Sequence, residues 1–182
     1  MWFFVFPVFS LFPLLTFEYF KLGAYHVSII EVAWGVGMLV GGTFLGIKKV
    51  KISEVLLINS MCITLGLTFA FSGWLPQGGF WVFMVLTLLG GISMTVYSSA
   101  FIVVLQTSVD PSVMGRVLSL YGSISLAPSI AGLAFTGSIA DHIGVPNAFL
   151  GSGIVVSILG VIPFFIPAIR EQFFKKTGTL QN

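Results

Sequence analysis

Six long apolar stretches, separated by short polar breaks, constrain this chain more than any other feature. They run from Trp2 to Phe17, Ile29 to Ile47, Val55 to Trp74, Phe80 to Leu105, Val117 to Ala140 and Phe149 to Ile169. A helix needs roughly 20 apolar residues to cross a bilayer, and these stretches are of that order. In hydrocarbon every backbone N–H and C=O needs a partner within the protein, so the spans are expected to be helices, not an open sheet. A barrel would show alternating polarity along each segment, and none of the six does. The expected fold class is therefore an all-α membrane bundle, one domain over residues 1–182. The first span is the shortest and begins almost at Met1, which reads as a clipped helix and the chain as a fragment. The fourth, at about 39 Å if straight, must tilt or protrude.

Composition excludes the soluble alternative, because 57% hydrophobic and 8% charged residues cannot dress a water-facing globule of this size. A net charge of +2 is too small to suggest nucleic acid. Cys62 stands alone in an apolar run, so neither an intrachain disulfide nor a cysteine metal site is expected. The start, Met1-Trp2-Phe3-Phe4, has no basic n-region and no small-residue cleavage site, so no signal peptide is read. The breaks carry turn chemistry. Pro76 and Gly78-Gly79 predict a tight turn between antiparallel helices, and Asp110-Pro111 predicts a capped, short interfacial helix ending at Gly115.

Topology follows from the cations, since Lys and Arg in short loops are held on the cytoplasmic side. Lys48, Lys49, Lys51, Arg116, Arg170, Lys175 and Lys176 fall on one side of the six spans and only Lys21 on the other. Both termini are expected in the cytoplasm, and the protein in the plasma (cell inner) membrane.

Helices in lipid approach through small residues. On the second span Gly35, Gly42 and Gly46 share a stripe with Glu31, while Gly37 and Gly41 form a neighbouring pair. Glu31 is the one carboxylate well inside an apolar span, and this stripe predicts that it faces protein. The fourth span groups Gly91, Thr95, Ser98 and Gln106, and the fifth groups Gly122, Ser125, Ser129, Gly132 and Thr136 around Pro128, which can loosen the helix. These faces fit either close packing or a shared cavity. On the cavity reading Glu31, Thr95, Tyr97, Ser98, Gln106, Tyr121 and Ser125 are candidates for a substrate or proton pathway.

Enzymatic signals are missing. The sequence has no HExxH, no G-x-S-x-G elbow, no phosphate-cradling glycine loop and no intramembrane aspartate pair. His26 and His142 fall at the outer edge, far apart in sequence, where interfacial roles are expected. No cofactor and no metal are implied.

Several segments are similar to the major facilitator superfamily, specifically its drug-efflux branch that includes the macrolide-efflux proteins. Phe12-Pro13-Leu14-Leu15, the run from Ser28 through Glu31 to Gly42, and Gly73-Trp74-Leu75-Pro76-Gln77 resemble its seventh to ninth spans. The run from Gln106 through Asp110, Gly115 and Arg116 to Leu120 resembles the link before the eleventh, and Pro128 and Gly137 to Gly144 continue the match. The resemblance implies the C-terminal six-helix half of a twelve-span transporter, built from two inverted three-helix repeats. It also implies expulsion of a small amphiphilic compound against proton entry, by an antiporter, with Asp110, Gly115 and Arg116 at a cytoplasmic gate. Spans one, two, four and five would line the cavity, and three and six would face lipid. The chain departs from the parent fold in lacking its first six spans and the Gly-Asp-Arg loop, since the equivalent Gly42 to Lys51 loop has no Asp. An isolated half has no opposing cavity wall, so the partners expected are the lipid bilayer, a small-molecule substrate and a missing N-terminal half. The rival reading is a non-transporting bundle, either a scaffold or an inert remnant.

Overall fold

The computed structural model describes residues 2–47 and 53–165, and gives side-chain surroundings for these except 2–4, 6–7, 127–131, 133–139, 141, 164 and 165. Lys48, Lys49, Lys51, Arg170, Lys175 and Lys176 lie outside the described residues, as do the side chains of Pro128, Ser129 and Thr136. Among the described residues the chain is helical throughout, with no strand. The helices are α1 (Trp2–Leu14), α2 (Ala24–Ile47), α3 (Glu54–Trp74), α4 (Phe80–Ser108), α5 (Met114–Ile143) and α6 (Val145–Val161). By length and apolarity α2, α3 and α4 can cross a membrane, and the shorter apolar helices 8–19 and 145–161 accompany them.

Local chemistry explains the ends. After Pro13 the first helix continues as a π-turn, Leu15–Tyr19, in which the Phe20 N–H donates to the Leu15 carbonyl at 3.1 Å. The first helical segment thus reaches Tyr19, whose hydroxyl donates to the Leu75 carbonyl at 2.6 Å and ties α1 to the end of α3. Lys21 adopts a left-handed φ of 56° in the turn into α2. Ser53 caps α3 by accepting from the Leu56 N–H at 3.4 Å. Between α3 and α4 the Gly79 N–H donates to the Pro76 carbonyl at 2.8 Å, the tight turn predicted there. No separate helix ending at Gly115 forms. Residues 111–113 make a turn, and Gly115 lies inside α5, because the Asp110 side chain accepts from the Ser112 N–H at 2.8 Å and closes the backbone locally.

The bundle packs α3 against α6 and α4, α2 against α4, and α1 against α5 and α6. Its centre is aromatic. The Phe12 ring of α1 meets Trp34 of α2, Phe69 of α3, Phe83 of α4 and Phe149 of α6, with ring centroids 5.5 to 6.2 Å apart. Those spacings are the favourable ones for tilted and edge-to-face pairs. Five helices therefore converge on one side chain.

Glycines set the closest approaches. At Gly37 a Cβ would strike the Leu88 carbonyl and sit 3.2 Å from the Gly91 Cα, and at Gly41 one would lie 2.8 Å from the Ile92 carbonyl oxygen. The Gly37 and Gly41 pair is thus the seam between α2 and α4, which run parallel. Gly35 and Gly46 have nothing within 4 Å, and Gly42 meets only the Thr95 methyl, at 3.6 Å. The stripe shared with Glu31 is accordingly not a packing seam within this chain, and Glu31 is exposed. A second seam, equally close, lies between α3 and α6. A Cβ at Gly66 would lie 2.7 Å from the Gly153 carbonyl oxygen, one at Gly153 would lie 2.6 Å from that of Gly66, and Gly73 and Gly160 continue the line.

Candidate functional site

Hydroxyls in an apolar interior are costly unless bonded, and most here bond back to their own helix. Thr16, Ser72, Thr87 and Ser93 donate to the carbonyl four residues earlier at 2.7 to 2.9 Å. Such groups are internally neutral and need nothing from a ligand. Thr95 differs, since its Oγ1 is buried on α4 with no hydrogen-bond partner. Its methyl faces the open notch at Gly42.

Half a turn farther along α4 the Tyr97 ring stacks on Phe101, with centroids 6.3 Å apart and planes 12° from parallel. Phe101 in turn stacks on Tyr121 of α5 at 5.0 Å and 30°. Two of the residues singled out from the sequence are therefore joined by a third that sequence reasoning missed. The available signal was spacing, because Phe101 follows Tyr97 by four residues and shares its helix face. The stack sits toward the end of the bundle that carries the 109–113 turn, and links α4 to α5. Ser98 and Ser125 are half-buried on the same two helices, and Gly132 is buried farther along α5.

Glu31 is not brought to this stack. Parallel packing sets Gly37 near Gly91, so Glu31 lies near the level of Val85, and Tyr97 is twelve residues, or about 18 Å, farther along. What Glu31 does share is a side of α2 with Trp34, three residues on, whose ring packs edge-to-face on Phe9 of α1 at 4.4 Å. The carboxylate is thus exposed on the side of α2 that turns toward α1. Gln106 and Arg116 are exposed near the other end, on the last turns of α4 and the first turn of α5. Asp110 is exposed between them, and its hydrogen bonds from Ser112 hold its carboxyl below the usual carboxylate range. The arrangement can offer an amphiphile flat aromatic faces, an unpaired hydroxyl and, at a separate level, a carboxylate.

A family model described as "transmembrane secretion effector" matches residues 1–174. Macrolide efflux protein A of Streptococcus pyogenes is 36% identical over 169 residues, which cover 93% of this chain and 42% of that protein. The protein of the same name from Enterococcus faecalis is 39% identical over 125 residues, 68% of this chain and 39% of that one. The multidrug efflux pump Tap of Mycolicibacterium fortuitum is 27% identical over 142 residues, 78% and 34% respectively. No solved structure matches the chain. The chain spans about two fifths of the length of the macrolide efflux proteins it matches. With a bundle that is helical throughout the described residues, helices apolar enough to cross a membrane and a family match along nearly its whole length, the chain belongs to the transmembrane secretion effectors of the major facilitator superfamily and is membrane-integral.

Proposed function

We propose that the chain is one six-helix half, the C-terminal one, of a proton-coupled pump that expels amphiphilic drugs such as macrolides, and that it is not competent alone. The likeness to efflux proteins over 93% of its length carries the functional part of this reading. The half-bundle part is supported by packing. Exchanging α1, α2 and α3 for α4, α5 and α6 turns the α2 to α4 seam into α5 to α1, turns α3 to α4 into α6 to α1, and leaves α3 to α6 as it is. Two inverted three-helix repeats have this exchange property.

The Tyr97, Phe101 and Tyr121 stack is the proposed drug-contacting surface, with Thr95, Ser98, Gln106 and Ser125 beside the pathway and Glu31 on the proton route. Asp110, Gly115 and Arg116 form the proposed cytoplasmic gate. In a complete transporter, Tyr121→Ala is expected to weaken macrolide efflux several-fold while Tyr121→Phe keeps most of it, since stacking needs the ring and not the hydroxyl. Drug accumulation in cells carrying equal amounts of each variant checks this, and equal efflux by Ala and Phe variants would remove the stack from the pathway.

Both termini are proposed to be cytoplasmic, from the seven-to-one division of cations. A phosphatase and fluorescent-protein reporter pair fused after Asn182 is expected to report a cytoplasmic position, and one inserted at Gly78 an external one. A cytoplasmic signal at Gly78 would reverse the orientation.

A further inference from the structure

The backbone of residues 15–22 departs from regular helix twice in succession. In the π-turn Leu15–Tyr19 the Phe20 N–H reaches back five residues to the Leu15 carbonyl, and the Leu22 N–H reaches back six to that of Thr16, both at 3.1 Å. Lys21 then takes its left-handed φ of 56°, a conformation that costs any residue with a Cβ and that glycine usually fills past a helix end. Such a residue persists only where its surroundings hold it. Two contacts do so here. The Tyr19 hydroxyl donates to the Leu75 carbonyl at 2.6 Å, across 56 residues of sequence. Leu75 lies just past α3 with extended backbone, so its carbonyl stands outside the helical ladder and can accept. Phe20 is buried, its ring 6.0 Å from Phe80 and 5.4 Å from Phe83 of α4. Leu15 and Thr16 are fully buried as well, and Phe83 is one of the rings packed on Phe12. The segment therefore covers the aromatic centre at the end of the bundle that carries the 75–79 turn. The Tyr97, Phe101 and Tyr121 stack lies toward the other end of α4.

A π-turn holds one residue more than an α-turn, so relaxing it carries the residues beyond it round by about 100° and along by about 1.5 Å. That motion takes the Tyr19 hydroxyl off the Leu75 carbonyl and the Phe20 ring off Phe80 and Phe83, and it melts no helix. We propose that residues 15–22 are a latched strap over this end of the bundle. The Tyr19 to Leu75 hydrogen bond is the latch and the π-turn is the hinge. Relaxation of that turn to α-helix opens the strap and uncovers the aromatic centre.

The test uses the full chain in detergent micelles, with spin labels attached through Glu18→Cys on the strap and Gln77→Cys on the turn. Both positions are exposed, whereas the native Cys62 is buried. A rotation of about 100° on a helix about 10 Å across moves the side chain at position 18 by roughly 8 Å. Tyr19→Phe keeps the ring and removes the donor, and it is expected to add a second spin–spin distance displaced by about that amount, with helical circular dichroism unchanged. Lys21→Gly removes the left-handed penalty of the closed form, so adding it to Tyr19→Phe should return molecules to the first distance, and alone it should leave only that one. A single unchanged distance in Tyr19→Phe would show that the bond latches nothing. A broad spread of distances with loss of helical signal would show that the segment melts instead of switching. Either result overturns the proposal, as does a second distance that Lys21→Gly fails to reverse.

Discussion

Replacing Gly153 with leucine is expected to abolish the folded bundle, and even Gly153→Ala should destabilise it. A methyl there would strike the Ala70 backbone nitrogen and lie 2.6 Å from the Gly66 carbonyl oxygen. Backbone cannot rotate out of the way as a side chain can. Overpacking costs about 1–3 kcal/mol, whereas alanine gains at most ~1 kcal/mol over glycine as a helix former, so the clash wins. At Gly35 and Gly46, where nothing lies within 4 Å, only the helix-forming gain remains, and alanine should be neutral or mildly stabilising. Helix loss on titrating sodium dodecyl sulfate into the detergent-solubilised chain measures both effects. An unchanged midpoint for Gly153→Ala would mean that α3 and α6 are not in this contact.

The second large effect is expected at Glu31. In a complete transporter Glu31→Gln should keep insertion and expression yet reduce proton-linked efflux roughly tenfold or more, equivalent to about 1.4 kcal/mol on the limiting step. The premise is that a carboxylate within an apolar span is expensive and usually functional. Glu31 is exposed on α2, so the substitution also separates a proton carrier from a carboxylate that merely reaches water. Glutamine keeps size and hydrogen bonding but cannot carry the proton. The comparison to make is drug extrusion by inverted vesicles at several imposed pH gradients. Efflux that kept its rate and its dependence on the gradient would make Glu31 structural.

Helices and most of their breaks were readable because lipid forces backbone pairing within each span and because Pro76 and Gly79 act through local chemistry; at Asp110 the break was legible, but not that its side chain closes a turn on Ser112 in place of a short helix. The true α2 to α4 seam was read only as the neighbour of another stripe. Gly35, Gly42 and Gly46 share a face just as Gly37 and Gly41 do, and helical periodicity identifies a face without saying what meets it. Gly37 faces Gly91 because α2 runs parallel to α4, a tertiary fact. The α3 to α6 seam did carry a signal, since Gly66 and Gly73 are seven residues apart and so are Gly153 and Gly160. Two glycines two turns apart repeat on one face, but each pair was diluted by larger residues and drew no notice. The aromatic hub around Phe12 was illegible for a different reason. With nineteen phenylalanines in the chain, type alone does not separate those that pack on one another from those that face lipid.

The central claim, that this chain is half of an efflux pump, is tested most directly by the accumulation of a radiolabelled macrolide in a susceptible bacterium. Three strains are compared: one expressing this chain, one expressing the segment of macrolide efflux protein A that this chain does not match, and one expressing both. Lowered accumulation is predicted only in the third strain, and only while the proton gradient is intact. Lowered accumulation with this chain alone, or none when the two segments co-purify as a complex, would contradict it.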